Sequence, residues 1–360
     1  MTDKQKQGVH AVSQDFKAYE QVEKNQNYHL AETPDADEFD EDFVIQTLDM
    51  SGLLSGDKQA GNLFAQQLGK AMEEIGFVIL TGHGVDTALY EEAQVKIKQF
   101  FETISEQQKL NYLAQREGSV NQGYFPIKQT TIIHPDLVQG WVFCRRAFNM
   151  DNDSDYQEDK FWPEKHYEAF FRKICQAHEK LVLPIMQSIL HYFDCDKTLY
   201  DEKLTRANFG FRLNYYPPLN DEDISSGAGR MLGHEDVDLF TLLPAQDLDG
   251  LQVLNRKNMK WVKLKAPQGS IVMNTGDYMQ RITNDRLPST THRVSSPRDE
   301  SRMRKCRISF PMAIYIRENE YLEVLPGLEN PHYPPIKAID FHTRITSKYY
   351  GDDYAIRQEK

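Results

Sequence analysis

From about residue 208 the chain is built of short apolar or alternating segments, each closed off by Gly, Pro, Asn or Asp: NFGFRLNYYPP, HEDVDLFTLLP, GLQVLNR, KWVKLKAP, GSIVMNTGD, STTHRVSSP and RKCRISFPMAIYIREN. A segment of that length makes one strand and no more, and many such strands at this spacing predict a β-sandwich or barrel. The first half has another period. FVIQTLDMSGLL predicts a strand and turn, AGNLFAQQLGKAMEEIG an amphipathic helix, FVILTGHG a short buried strand, and ALYEEAQVKIKQFFETI a second helix. Residues 161–194 carry a long helical pattern that Pro184 is expected to kink or split.

Helices early and strands late predict an α+β chain with a mainly β core. Three regions follow: a polar, acidic arm over 1–41, a helix-rich region over 42–160, and a β core with its preceding helix over 161–360. Early strands are free to join the later sheet, so the chain is expected to act as one functional unit. Hydrophobic residues at 40% and charged residues at 27% fit a soluble globular protein. A net charge of −12 with no basic run argues against a nucleic-acid face. No segment approaches the roughly 20 apolar residues of a membrane span, and the N-terminus lacks the apolar core of a signal peptide. The four cysteines form no C-x-x-C pair, so neither a zinc site nor a disulfide framework is indicated. The expectation is a cytoplasmic protein that binds a small molecule, with no nucleic-acid, membrane or obligate protein partner.

Polar residues interrupt the apolar segments at particular places. In a strand, side chains two apart share a face, so His234 and Asp236 project together, with Asp238 beyond them, and Glu235 faces away. Such a pair could be two metal ligands or a hydrogen-bonded structural pair. His292 in STTHRVSSP follows far enough along for the chain to cross a sandwich and return beside them. Arg307 and Ser309 share one face, as do Arg212, Asn214 and Tyr216. Strand geometry thus permits one cavity lined by two histidines, an aspartate, at least one arginine, a serine and a tyrosine. Two His and one carboxylate on one side of a metal form the facial triad of non-haem Fe(II) oxygenases. An arginine fork beside it suits the far carboxylate of a 2-oxo acid.

LGHEDVDLFTLL, GLQVLNR, KWVKLKAPQGSIVMNTGDYMQRITNDRLPSTTHRV and RISFP, together with RLNYYPP, GFVILTGHGV and QFFETISEQQK upstream, are similar in order and spacing to the isopenicillin N synthase-like family of Fe(II)/2-oxoglutarate-dependent oxygenases. The resemblance covers about residues 42–350. It implies a double-stranded β-helix, or jelly roll, with helices buttressing it from outside. It also implies that His234, Asp236 and His292 ligate Fe(II), while Arg307 and Ser309, helped by Tyr216 and Asn214, hold the distal carboxylate of 2-oxoglutarate. The activity so implied consumes O2 and 2-oxoglutarate, releases succinate and CO2, and oxidises, most often hydroxylates, an unactivated C–H bond of a small metabolite. Isopenicillin N synthase itself uses no 2-oxoglutarate, and its Arg-x-Ser pair holds a substrate carboxylate. An oxidase or oxidative cyclase of that kind is therefore the alternative, with a catalytically silent binding protein as a third reading.

Substrate contacts are sought in HPDLVQGWVFCRRAFNM, where Arg145, Arg146 and Phe143 are candidates beside Arg212. On a strand only one of the adjacent arginines would face a pocket, and a surface ion pair is the other reading of both. His134 is a further pocket candidate. Asn274, Gly276 and Asp277 are expected to form a tight turn, and Asp238 a structural group at the cavity edge.

Overall fold

The computed structural model describes residues 19–21, 26–28, 32, 37–129, 136–226, 229–246 and 249–350. His134 and most of the first 36 residues lie outside them.

Among the described residues eighteen strands form, most of them three to six residues long. They are β1 (Tyr19–Gln21), β2 (Gln26–Tyr28), β3 (Thr47–Asp49), β4 (Phe77–Thr81), β5 (Gln115–Glu117), β6 (Val120–Phe125), β7 (Gln139–Cys144), β8 (Asn208–Tyr216) and β9 (Met231–His234). There follow β10 (Phe240–Pro244), β11 (Leu251–Asn255), β12 (Lys260–Lys263), β13 (Ile271–Thr275), β14 (His292–Val294), β15 (Arg307–Ser309), β16 (Met312–Tyr315), β17 (Tyr321–Leu322) and β18 (Ile336–Lys337). A ten-stranded sheet runs β3-β4-β13-β10-β16-β8-β7-β6-β5, with β15 also paired to β8, and a four-stranded sheet runs β12-β11-β14-β9. Among the described residues no ladder joins the two, so the jelly roll is a sandwich of two sheets rather than a closed barrel.

The N-terminal region contributes β3 to β7 to the large sheet, which makes it richer in strands than its sequence predicts. Helices Lys58–Ile75, Ala88–Thr103 and Glu168–Tyr192 cover that sheet's outer side through one large apolar core. Pro184 does not split the third helix, which runs unbroken over 25 residues. Proline removes one backbone donor, but apolar side chains buried along the whole helix outweigh that single loss.

Between the sheets, one end is filled by Ile79, Val253, Val262, Leu264 and Val272. The other end holds polar residues around a cavity of about 250 Å³. The end of the acidic arm belongs to the fold. Phe39 bridges to Trp261, Trp261 N donates to the Glu38 carbonyl at 2.8 Å, and the Asp37 carboxylate reaches buried Arg293 at 2.7 Å. No described helix is long and apolar enough to cross a membrane.

Candidate active site

β9 ends on His234 and β14 begins on His292, and antiparallel register sets the two opposite each other with ring centroids 4.3 Å apart. Asp236 is not on the same strand. It lies in the crossing from the small sheet to β10, a loop fixed by Asp277 N donating to the Asp236 carbonyl at 2.8 Å and Tyr278 N to the Asp238 carbonyl at 3.1 Å. The turn brings its carboxylate back, so that one donor atom from each of the three residues lies within 4.8 Å of the others.

Each donor is oriented by a second bond. His234 Nδ1 is 3.0 Å from the Leu232 carbonyl and His292 Nδ1 is 3.1 Å from that of Thr290. A carbonyl oxygen only accepts, so both rings donate through Nδ1, which leaves Nε2 as the nitrogen available to a metal. Asp236 Oδ2 accepts from Thr241 Oγ1 at 2.7 Å and from Asn274 Nδ2 at 2.8 Å, which leaves Oδ1 for the cavity. Burial, with the charge of His234 second, pushes His292 down to about 4 and keeps it neutral. Burial alone would raise the Asp236 carboxyl, but the two imidazoles and its hydrogen bonds outweigh that and hold it below its ordinary value. Two imidazoles and a carboxylate converge, a donor set that suits Fe(II).

Asp238 has a different place from the one its spacing suggests. It is wholly buried, and Thr241 Oγ1 lies 2.7 Å from its Oδ2 as well as from Asp236 Oδ2. A hydroxyl has one hydrogen and can donate to only one of two carboxyl groups, so the other must bring a proton of its own. Burial and the adjacent Asp236 charge raise the Asp238 carboxyl far above its ordinary value, so Asp238 carries that proton. Gly276 is needed here, because a Cβ would sit 2.3 Å from Asp238 Oδ1 and 2.4 Å from its carbonyl oxygen. The expected tight turn is corrected accordingly. Asn274 lies in β13 and grips Asp236, and Asp277 opens a short helix. Glu235 does face away from the triad, but into the protein, where it pairs with Arg256 and accepts from Thr291 Oγ1 at 3.1 Å.

The second polar group comes from β8 and β15, where Arg307 pairs with Tyr216 and Ser309 with Asn214. Alternation puts all four side chains, and Arg212, on the cavity face. Arg307 is only 2% exposed. Its Nε donates to the Asp249 carbonyl at 2.9 Å, its guanidinium lies 4.8 Å over the Tyr216 ring, and its Nη1 is buried with no partner. Asn214 Nδ2 donates to Ser309 Oγ at 3.3 Å. A charged fork thus faces the cavity with no carboxylate beside it among the described residues, as an anion-binding group would.

Arg145, Arg146 and Phe143 are not brought to the cavity. The strand ends at Cys144, and both arginines sit on the following turn. Arg145 pairs with Asp151 at 3.1 Å and with Glu179, and Arg146 with Asp153 at 3.0 Å. Phe143 is stacked on Trp162 with centroids 3.7 Å apart, in the core, while its neighbour Val142 faces the cavity. Thr241 and Asn274 were missed as site residues; their signal was a hydroxyl and an amide in otherwise apolar strands. Phe77 of β4, edge-on to His292 at 5.3 Å, and His342 of the C-terminal helix also line the cavity, and nothing in their local sequence marks them.

Two family models match the chain. Residues 45–165 match the N-terminal region of the non-haem dioxygenases of morphine synthesis, and residues 207–314 match the 2OG-Fe(II) oxygenase superfamily, a span that includes all three converging ligand candidates and Arg307. The chain belongs to the 2OG-Fe(II) oxygenase superfamily. Relatives include a bi-functional coumaroyl CoA and feruloyl CoA ortho-hydroxylase of Ipomoea batatas, 26% identical over 78% of this chain and 75% of that one. A 2-oxoglutarate-Fe(II) type oxidoreductase of Emericella nidulans is 26% identical over 87% of this chain and 92% of its own. Among solved structures, a Neurospora crassa protein in complex with alpha-KG and thymine is similar with a TM-score of 0.75 at 22% identity, over 86% of this chain and 99% of that one. A 2OG-Fe(II) oxygenase family protein from Caulobacter crescentus has a TM-score of 0.67 at 26% identity, over 84% and 97%. This superfamily member is therefore an oxidoreductase, a dioxygenase that uses Fe(II), 2-oxoglutarate and O2 to oxidise a small molecule.

Proposed function

We propose that His234 and His292 through Nε2, and Asp236 through Oδ1, ligate Fe(II). Arg307 and Ser309, with Tyr216 and Asn214, hold the distal carboxylate of 2-oxoglutarate, and the product is a hydroxylated small metabolite. The observation that carries this reading is the convergence of two imidazoles and a carboxylate within 4.8 Å on the same cavity as a buried arginine fork that has no acid partner among the described residues. Bound there, iron and 2-oxoglutarate supply the oxidising power, with O2 consumed and succinate and CO2 released.

The chain's own groups bind and orient. The backbone carbonyls of Leu232 and Thr290 engage Nδ1 of each imidazole and turn Nε2 to the metal. Thr241 and Asn274 occupy one oxygen of Asp236 and leave it a one-oxygen ligand, which keeps the remaining positions open. Arg307 fixes both the angle and the distance of a carboxylate through parallel charge-assisted bonds. Phe77, Val237, Leu243 and Val294 make the walls apolar and hold water back. Ortho-hydroxylation by the Ipomoea relative supports hydroxylation as the outcome.

The test is an anaerobic Fe(II) titration with an assay of succinate release. His234→Ala is expected to lose iron binding and 2-oxoglutarate-dependent O2 uptake together. Full O2 uptake with Fe(II) but without 2-oxoglutarate would assign an isopenicillin N synthase-like oxidase instead, and a wild-type protein that binds no Fe(II) would leave only the silent binding protein.

A further inference from the structure

Arg212 is the second cavity arginine without an acid. Its Nε donates to Asn214 Oδ1 at 2.6 Å, its Nη2 is buried with no partner, and no described carboxylate lies within ion-pairing distance. Its setting is built to hold it. The guanidinium lies 5.2 Å over the Phe125 ring, and it passes so close to Gly140 that a Cβ there would meet Nη2 at 2.5 Å. Gly140 therefore gives the side chain its room, and Phe125 and Asn214 fix its plane. Other arginines withdrawn from solvent, such as Arg293 with Asp37 and Arg256 with Glu235, have a carboxylate beside them. A half-buried guanidinium whose partners are a neutral amide and an aromatic face lacks the counter-charge that burial of an ion demands.

Register places this group relative to the cosubstrate residues. Tyr216 pairs with Arg307 and Asn214 with Ser309, while Arg212 N donates to the Pro311 carbonyl at 2.9 Å. Arg212 is thus four residues from Tyr216 on the same face of β8, roughly 13 Å along the strand. That is too far for one compact dicarboxylate to be gripped distally at Arg307 and also to sit on Arg212 while reaching the triad. Near Arg212 the cavity wall carries Asn121, whose Oδ1 is buried without a partner, and apolar Val120, Phe125 and Val142. The amide of Asn214 also touches both Arg212 and Ser309, so the two anion-binding groups are joined through one side chain. At about 250 Å³ in all, the cavity is smaller than the roughly 300–1,000 Å³ of sites for drug-sized ligands.

We propose that the substrate is a small organic acid, with a carboxylate or similar anion on Arg212 and an apolar body directed toward the His234, Asp236 and His292 site. This rests on the proposed iron and 2-oxoglutarate reading, and the experiment separates the two. Calorimetry first measures 2-oxoglutarate binding to the anaerobic Fe(II)-loaded protein; no binding would count against that reading and remove the basis of this one. With 2-oxoglutarate saturating, small carboxylic acids are then compared one for one with their primary amides, beginning with benzoate, phenylacetate and hexanoate against benzamide, phenylacetamide and hexanamide. Calorimetric affinity and stimulation of succinate release are the readouts. Acids are expected to bind at least about 10-fold tighter than their amides. Arg212→Gln should weaken acid binding by about 10- to 100-fold and abolish the preference, with Arg212→Lys restoring part of it. Amides binding as well as acids, no acid binding although 2-oxoglutarate does, or Arg212→Gln weakening acid and amide equally would each overturn the proposal. If Arg212→Gln does not fold, the wild-type comparison decides.

Discussion

Thr241 is the residue on which the geometry of Asp236 turns. Its hydroxyl is the single bridge between two carboxyl groups, and it can serve both only because one of them holds a proton. Valine has nearly the same shape but cannot bridge. Thr241→Val is expected to weaken Fe(II) binding by about 10- to 100-fold, the usual range for groups that orient a metal ligand, and Thr241→Ser to recover most of it. An anaerobic Fe(II) titration of the three proteins checks this, and equal affinities would mean that Asn274 alone suffices to position Asp236. At this scale the legible residues were the ones whose chemistry is rare in a buried strand: His234, Asp236, His292 and Arg307. The groups that orient them were harder to find, since a threonine or asparagine in a strand has many ordinary uses. Of the two readings of Arg145 and Arg146, the structure shows the ion pair and not the pocket contact. A conspicuous pair of charges says nothing of where the strand ends, and here it ends two residues short of Arg146, which would share the cavity face of Val142, while Arg145 would share the core face of Phe143.

At the scale of elements, strand existence followed from the alternation of apolar residues and turn-formers, whereas continuity did not. HEDVDLFTLLP has the composition of one strand, yet the chain leaves the small sheet at His234 and enters the large one at Phe240. The break puts Asp236 in the loop between the sheets, where the turn brings its carboxylate back to His234. β5 and β6, a hairpin turning at Gly118 and Ser119, were hidden because their sequence is irregular and lacks a clear alternation. The arm was underestimated too. Asp37 meets Arg293, a residue next to His292, and Arg293 is held between Trp261, 3.8 Å from its ring, and Gln252, whose Oε1 accepts from Nε at 2.8 Å. Removing one partner of a buried pair leaves the other charge uncompensated. Asp37→Ala should therefore lower stability by about 3 kcal/mol in urea unfolding, and a change below about 0.5 kcal/mol would show the arm to be dispensable.

For the whole molecule, the helical layer against the large sheet carries a buried titratable group that the chemistry does not use. His178, in the middle of helix Glu168–Tyr192, is fully buried; its Nε2 meets the Tyr90 hydroxyl at 2.8 Å, and its Nδ1 has no partner. Beyond Tyr90 lies His83, whose ring centroid is 6.3 Å from that of Tyr90. Burial, then the charge of His83, pushes His178 down to about 3. An unfolded chain takes up this proton near pH 6.5, so between about pH 6.5 and 3 the unfolded state binds more protons than the folded one. The stability that goes with a neutral His178 is complete above pH 6.5 and falls as the pH drops, by up to about 1.4 kcal/mol per pH unit. His342, also buried and lowered, acts with the same sign, so the two histidines together steepen acid unfolding. His178→Gln should flatten the fall in Tm between pH 7 and pH 5 while leaving the part due to His342. An unchanged slope in that variant would place the acid sensitivity elsewhere in the molecule.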